Sequence, residues 1–368
     1  MTDDIDVLAR KPTALAFDDR PLLAIWEMTQ ACDLACVHCR ASATPARAAG
    51  ELDTAEAKRL VEAVHAMGTP LLILTGGDPA KRPDLVEIVE HGARIGLTVA
   101  VTPSGTPLMT RALLGRLKAA GMARLAVSLD GPDAVVHDAF RRVDGSFAHT
   151  LRILYDAAEL GIERQVNTTL GPHDRMHLDA IAALVADVGA VLWSVFVVVP
   201  TGRAGVALLE EAGDLERDLV RLAELAESAP FDVKTTAAPH FRRVLLERKE
   251  RGAVGLLRTL APDGTVGGMR GINDGVGLVF VSHTGDICPS GFLPVPQGNV
   301  RTHDLAEVYR NGPLFRAARD TGALEGKCGA CPFKVVCGGS RARAFALGGS
   351  VYASDPLCPY VPKGWPAS

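Results

Sequence analysis

Ala31-Cys-Asp-Leu-Ala-Cys-Val-His-Cys-Arg40 carries three cysteines, Cys32, Cys36 and Cys39, in the spacing C-x3-C-x2-C. A cubane iron–sulfur cluster held entirely by protein takes four thiolates. Three close thiolates therefore point to a 4Fe–4S cluster with one iron left for a ligand from outside the chain, and an open iron can bind substrate or cosubstrate. Zinc usually takes paired C-x2-C units with a fourth ligand close by; three unrelated thiols are the other alternative. The surroundings favour the cluster. Pro21-Leu-Leu-Ala-Ile-Trp-Glu-Met-Thr29, just before the triad, is an apolar run that reads as a strand. Downstream, Leu71-Leu-Ile-Leu-Thr-Gly-Gly-Asp-Pro79 reads as a second strand running into a turn.

The triad, the strand before it and the Gly-Gly-Asp-Pro turn together resemble the radical S-adenosylmethionine (SAM) superfamily. The resemblance makes Cys32, Cys36 and Cys39 the ligands of the catalytic cluster. It gives Gly76, Gly77, Asp78 and Pro79 the role of holding the SAM amino group, through backbone carbonyls and the acidic side chain. Asp78 stands where the family usually has Glu, so the carboxylate reaches less far.

Composition suits a large enzyme. The 368 residues exceed what one hydrophobic core usually serves, so a large domain plus a smaller one is expected. Apolar residues make up 48% and the net charge is −4, without a basic tract dense enough to neutralise a phosphate backbone. Nucleic acid is therefore not an expected partner. No apolar run reaches the roughly 20 residues that span a bilayer, and Met1-Thr-Asp-Asp-Ile-Asp6 lacks the basic start of a secretion signal. A cytoplasmic protein with no membrane partner is expected. Eight cysteines in a reducing compartment then argue for metal or redox chemistry rather than disulfides.

From residue 21 onward, apolar strand-like runs alternate with longer amphipathic segments, as in successive βα units forming a parallel sheet. Strands are read at 21–28, 71–75, 97–102, 124–129, 163–169 and 191–199. Ala55 to Ala66 and Leu108 to Ala120 have helix-like periodicity. Six units fall short of a closed eight-stranded barrel. The resemblance implies an α/β fold, an open (β/α)6 partial TIM barrel with its site at the C-terminal strand ends, followed by a small C-terminal iron–sulfur domain. The expected organisation is a flexible segment at 1–18, a core at 19–230, a bridge at 231–280 and the iron–sulfur domain at 281–368.

Polar clusters directly follow the strands: Thr102-Pro-Ser-Gly-Thr106, Ser128-Leu-Asp-Gly131 and Asn167-Thr-Thr169. By the resemblance, Ser104, Ser128, Asp130 and Asn167 are SAM contacts, and Arg141 pairs with the SAM carboxylate. A guanidinium fork suits a carboxylate. The alternative is that Ser128 and Asp130 cap the next helix and Arg141 is a surface residue. Val197-Val-Val-Pro200 lines the adenine pocket or is plain core.

A second cysteine set, Cys328, Cys331, Cys337 and Cys358, spells C-x2-C-x5-C-x20-C. Four thiolates complete a cubane with no open iron, suited to electron transfer or structure; a zinc ribbon is the alternative. The region resembles the SPASM/Twitch extension of radical SAM enzymes, which implies an auxiliary 4Fe–4S cluster. Full SPASM domains hold two such clusters and use a further cysteine where this chain has Arg341. Cys288 matches an early SPASM cysteine by region, as a replacement ligand or a free thiol.

Phe292-Leu-Pro294, Gly298-Asn-Val-Arg301, Leu305-Ala-Glu-Val-Tyr309 and Cys337-Gly-Gly-Ser-Arg-Ala-Arg343 resemble the enzymes of the haem and haem d1 pathways, with Ser340 in place of their last cysteine. The implied substrate is a carboxylated tetrapyrrole or other small carboxylate, the alternative a ribosomally made peptide. The implied reductant is an electron donor such as flavodoxin or ferredoxin. With the first strand read at residue 21, a leader-gripping module in cis is not expected. A non-catalytic iron–sulfur or zinc scaffold would keep the cysteines without needing the SAM contacts. His240-Phe-Arg-Arg-Val-Leu-Leu-Glu-Arg-Lys-Glu-Arg251 reads as a solvated basic helix, or as carboxylate recognition through Arg242, Arg243 and Arg270, with His240 a structural histidine.

Two cysteine sets predict two cubanes. Anaerobically reconstituted protein should bind about eight irons. Joint replacement of Cys32, Cys36 and Cys39 by Ala should remove about half of that iron and abolish formation of 5′-deoxyadenosine. Retained 5′-deoxyadenosine in the triple variant would overturn the assignment.

Overall fold

The computed structural model describes residues 17–173, 175–250 and 271–366, with backbone alone for Lys249 and Glu250. Arg251, Arg270 and the glycine-rich run up to it lie outside the described residues, as does nearly all of the expected N-terminal segment.

The six strands read from the sequence form β1 (Leu23–Glu27), β2 (Leu71–Thr75), β3 (Thr98–Val101), β4 (Arg124–Ser128), β5 (Glu163–Leu170) and β6 (Leu192–Val197). All pair in parallel with their sequence neighbours. Two further parallel strands flank them. β7 (Asp232–Thr236) pairs with β6, and β8 (Leu278–Val281) pairs with β1 on the opposite side. β9 (Asp286–Cys288) and β10 (Gly298–Asn299) continue antiparallel from β8, giving a ten-stranded sheet in the order β10-β9-β8-β1-β2-β3-β4-β5-β6-β7. β7 and β10 are separate edges, so the sheet is open.

Helices cover the convex face because alternate strand residues point that way. Trp26, Leu74, Val101, Val127, Val166 and Trp193 are fully buried there, in one core with helix residues such as Leu60, Ile88, Leu117 and Ile153. The helices start where their sequences cap them. Asp53 caps α1 (Thr54–Ala66) in a reciprocal capping box with Glu56, and Asp133 caps α2 (Ala134–Arg141). Burial on the helix side needs an apolar residue at every second position, and β1 to β4 and β6 carry more than that, which is why they stand out in the sequence.

α3 (His240–Glu250) corrects the solvated-helix reading. Its His240, Phe241, Arg243, Val244, Leu245 and Leu246 are buried. Arg242 donates to the carbonyls of Ile272 (2.6 Å) and Val336 (3.1 Å), while Arg243 pairs with Glu216 (2.5 Å) and Glu247 (2.9 Å). These arginines serve internal acceptors, which rules them out as a free carboxylate receptor. Val198 and Val199 are core, packed at the junction with the C-terminal region, where Arg343 donates to the Val198 carbonyl (3.3 Å). Among the described residues, no helix is long and apolar enough to cross a membrane.

Candidate active site

The triad loop leaves the C-terminal end of β1 and closes on itself. Cys32 N–H donates to Thr44 O (2.7 Å), and Thr44 N–H donates to Gln30 O (3.1 Å). Arg203, from the segment after β6, braces it through Nε to Cys36 O (3.0 Å) and Nη1 to Ala43 O (2.8 Å). Gly202 allows that approach. Its φ is +64°, and a Cβ there would lie 2.2 Å from Arg40 O.

The donor set suits an iron–sulfur cluster. All three cysteines are free thiols, and each sulfur faces a hydrogen-bond donor. Leu34 N–H lies 3.3 Å from Cys32 Sγ, Ala43 N–H 3.4 Å from Cys39 Sγ, and Arg141 Nη1 3.6 Å from Cys36 Sγ; the Ser104 oxygen also lies 3.3 Å from Cys32 Sγ. Donors of this kind stabilise thiolate and tune a cluster. Burial pushes the free Cys32 thiol above its usual range, the Ser104 bond opposing. Among the described residues, no three His, Cys, Asp or Glu side chains are gathered as a set for a single metal ion.

The Gly-Gly-Asp-Pro turn sits directly against this loop. Gly77 N–H donates to Thr29 O (2.8 Å) and Asp78 N–H to Ala31 O (2.7 Å). Gly76 has φ +153°, and a Cβ on it would fall 2.5 Å from Thr29 O; one on Gly77 would fall 2.3 Å from Ala31 O. Both positions therefore require glycine. Asp78 is fully buried, and its carboxylate accepts from Ala80 N–H (3.0 Å), Ser104 N–H (3.3 Å) and the Thr106 hydroxyl (2.8 Å). Burial raises its pKa, with the Thr106 bond opposing. Its short side chain ties the turn to the loop after β3, and Ser104 Oγ donates to Gly77 O (2.8 Å). Pro79 is buried at the start of a short 3-10 turn.

Asp130, past the end of β4, is also fully buried. It accepts from Arg141 Nε and Thr169 N–H, both at 2.6 Å. Burial would raise its carboxyl, but Arg141 and the neighbouring histidines hold it at about 2. Arg141 thus turns its fork toward Asp130 and its Nη1 toward Cys36, while Arg142 is exposed. Ser128 and Asn167 are register partners on β4 and β5.

Three features escaped the sequence reading. Arg203 is one; its only signal is its place after β6. The second is a clamp at the end of β1, where buried Glu27 takes Arg40 Nη1 and His283 Nδ1, each at 2.7 Å. A charged residue closing an apolar strand beside the triad was the available signal. The third is the stack of His38 and His173 on either face of Phe140, with ring centroids 4.3 and 3.7 Å away.

Cys328, Cys331, Cys337 and Cys358 line one cleft, with His240 at its wall. Burial pushes the free thiols of Cys337 and Cys358 up to about 12, so unliganded thiols there stay neutral. His240 Nε2 lies 3.0 Å from Asp355, which Arg343 also engages. Cys288 does not line the cleft; it is buried on β9 near Asp286 and Glu27. Ser340 caps the helix Arg341–Gly348, and its N–H donates to Asp355 (2.7 Å). Arg341 donates to the carbonyls of Val351 (2.7 Å) and Ala353 (2.8 Å). Both positions at which the resemblance implies a further cysteine are spent on local structure.

An open, mainly parallel sheet whose strand ends press a three-cysteine loop against a glycine turn is the architecture of an iron–sulfur enzyme. The chain belongs to the radical SAM superfamily, whose profile matches residues 26–185. It is 38% identical over 348 residues to the AdoMet-dependent heme synthase of Methanosarcina barkeri, spanning 95% of this chain and 99% of that protein. It is 31% identical to the mycofactocin maturase MftC of Mycobacterium ulcerans, spanning 92% and 88%. Streptococcus suis SuiB bound to S-adenosylmethionine shares the fold, with a TM-score of 0.72 at 18% identity over 93% of this chain and 78% of that one. The chain is accordingly a SAM-dependent iron–sulfur enzyme.

The Glu27 clamp gives a pH-dependent prediction. The Glu27 hydrogen bond raises the His283 pKa, against the opposing effect of burial. A raised folded-state pKa stabilises fully below the unfolded value and is lost as pH rises through the folded one. His283→Ala should therefore cost about 1.5–3 kcal/mol below the usual histidine pKa of about 6.5, and clearly less well above it. Anaerobic thermal scans at the two pH values check this; an equal loss at both would remove the charge from the argument.

Proposed function

We propose that this enzyme forms haem-type vinyl groups by oxidative decarboxylation of propionate side chains on a tetrapyrrole. The supporting observation is end-to-end similarity to a protein named AdoMet-dependent heme synthase, higher than to a peptide maturase. Haem carries vinyl groups, so a precursor bearing propionates at those positions suits the name. Maturation of a peptide is the second reading, favoured by the MftC similarity and the fold shared with SuiB.

The chemistry supplied by the group on Cys32, Cys36 and Cys39 is reductive cleavage of SAM to methionine and a 5′-deoxyadenosyl radical. The chain's part is placement. Gly76 and Gly77 present backbone carbonyls beside the triad, Ser104 fixes one of them, and Pro79 anchors the turn. Asp130, Ser128 and Asn167 provide polar groups on the next two strands, and Arg141 offers its Nη1 edge to the SAM carboxylate while Asp130 holds its fork. A propionate that loses a hydrogen atom, carbon dioxide and one electron becomes a vinyl group. The thiolates of Cys328, Cys331, Cys337 and Cys358 would hold the auxiliary 4Fe–4S cluster of a SPASM/Twitch-like region at 281–368, suited to accepting that electron. Cytoplasmic location and reduction by a flavodoxin- or ferredoxin-type donor complete the reading.

Reduced, reconstituted protein given SAM and iron-coproporphyrin III, a tetra-propionate tetrapyrrole, should form 5′-deoxyadenosine and a vinyl-bearing product, both followed by chromatography. Turnover stimulated by peptides but not by this tetrapyrrole would sink the reading in favour of its alternative. In the same preparations, Arg141→Ala should weaken SAM binding about tenfold to a hundredfold with iron content unchanged. Calorimetric titration measures it, and unchanged affinity would remove Arg141 from the site.

A further inference from the structure

The concave face of the sheet is divided. On β1, β2 and β3 it presents Leu23, Ile25, Leu71, Ile73 and Ala100; on β5 and β7 it presents Gln165, Asn167, Lys234 and Thr236, and β6 between them adds Ser194 flanked by the apolar Leu192 and Phe196. Their neighbours Val166, Trp193 and Val195 are buried in the helix-side core, and Val233 packs against it, which fixes the orientation. Ser128, Asn167, Ser194 and Lys234 are successive register partners, so one polar row crosses from β4 to β7. Asn167 and Ser194 of this row find partners on the same face. Gln165 Nε2 donates to Asn167 Oδ1 (2.7 Å), and the hydroxyls of Ser194 and Thr236 lie 3.5 Å apart.

Lys234 is different. It is half-buried, and among the described residues no hydrogen bond or ion pair engages its ammonium. The charge it feels is another cation, Arg124, which is itself paired with Glu163. Burial, with Arg124 adding to it, lowers its pKa to about 8, so it is still mainly charged at neutral pH. A desolvated cation without an anion is costly, and proteins keep such groups where a charged ligand supplies the partner.

We propose that Lys234 receives a substrate carboxylate inside the barrel, one that is retained in the product. The inference rests on the tetrapyrrole reading and deepens it. The apolar β1–β3 wall suits the macrocycle, and the polar row across β4 to β7 suits its acidic rim. The retained carboxylate is the sensible partner, because an ion pair with a departing one would stabilise carboxylate over carbon dioxide and oppose the reaction. Lys234 is then a specificity residue, on the strand furthest from β1 in the barrel wall.

The test is binding of iron-coproporphyrin III and its tetramethyl ester to reconstituted wild type, Lys234→Met and Lys234→Arg. Wild type should prefer the acid. Lys234→Met should weaken acid binding about tenfold to a hundredfold, leave the ester unchanged and so lose the preference, with iron content and SAM affinity intact. Lys234→Arg should restore much of it. An edge-strand lysine can also merely discourage strand pairing; Lys234→Met would then oligomerise while keeping the acid preference, and the proposal would fall. Unchanged acid binding in Lys234→Met would overturn the Lys234 assignment alone, whereas a wild type that binds neither probe would sink the tetrapyrrole reading and this inference together.

Discussion

The site depends on a contact between two stretches of backbone. The Gly76–Gly77 turn lies so close to Thr29–Ala31 that a methyl group on Gly77 would sit 2.3 Å from a carbonyl oxygen. Two hydrogen bonds lock that approach, and they set the cysteine loop and the glycine turn in one fixed relation. Because the turn and the loop leave adjacent parallel strands, the sheet register decides where the three cysteines stand relative to the glycine turn. Asp78 adds the next strand by gathering donors from the Ser104–Thr106 segment.

Buried charges hold the rest, and each is placed where two segments meet. Glu27 joins Arg40 of the triad loop to His283 of the C-terminal region; Asp130 joins Arg141 to the backbone of β5; Asp355 gathers Arg343 and His240 beside the four-cysteine cleft. Removing one partner from such a set leaves an uncompensated buried charge, a cost far above that of a surface pair. The same chain thus ties the triad loop to the C-terminal region that carries the second thiol set.

Legibility followed burial. Most of the six barrel strands were visible as apolar runs, and the mixed β5 (Glu163–Leu170) carries alternate buried Val166, Thr168 and Leu170. β7 was hidden because Asp232-Val-Lys-Thr-Thr236 turns polar residues to the barrel interior, and that polarity is what makes Lys234 interesting. Both cysteine sets were legible from spacing, since metal ligands close in sequence need little tertiary context. Arg242 and Arg243 were misjudged because their acceptors, Ile272, Val336 and Glu216, lie far away along the chain. The His283 end of the Glu27 clamp was illegible for the same reason: His283 follows the strand that pairs with β1 but lies 256 residues along the chain.

The central claim is one cluster with an open iron at three thiolates and a second closed by four. Electron paramagnetic resonance of the reduced, reconstituted protein titrated with SAM tests it most directly. The account predicts that about half of the cluster signal changes g-values on SAM addition while the other half stays as it was. A spectrum in which no cluster, or every cluster, responds to SAM would contradict it.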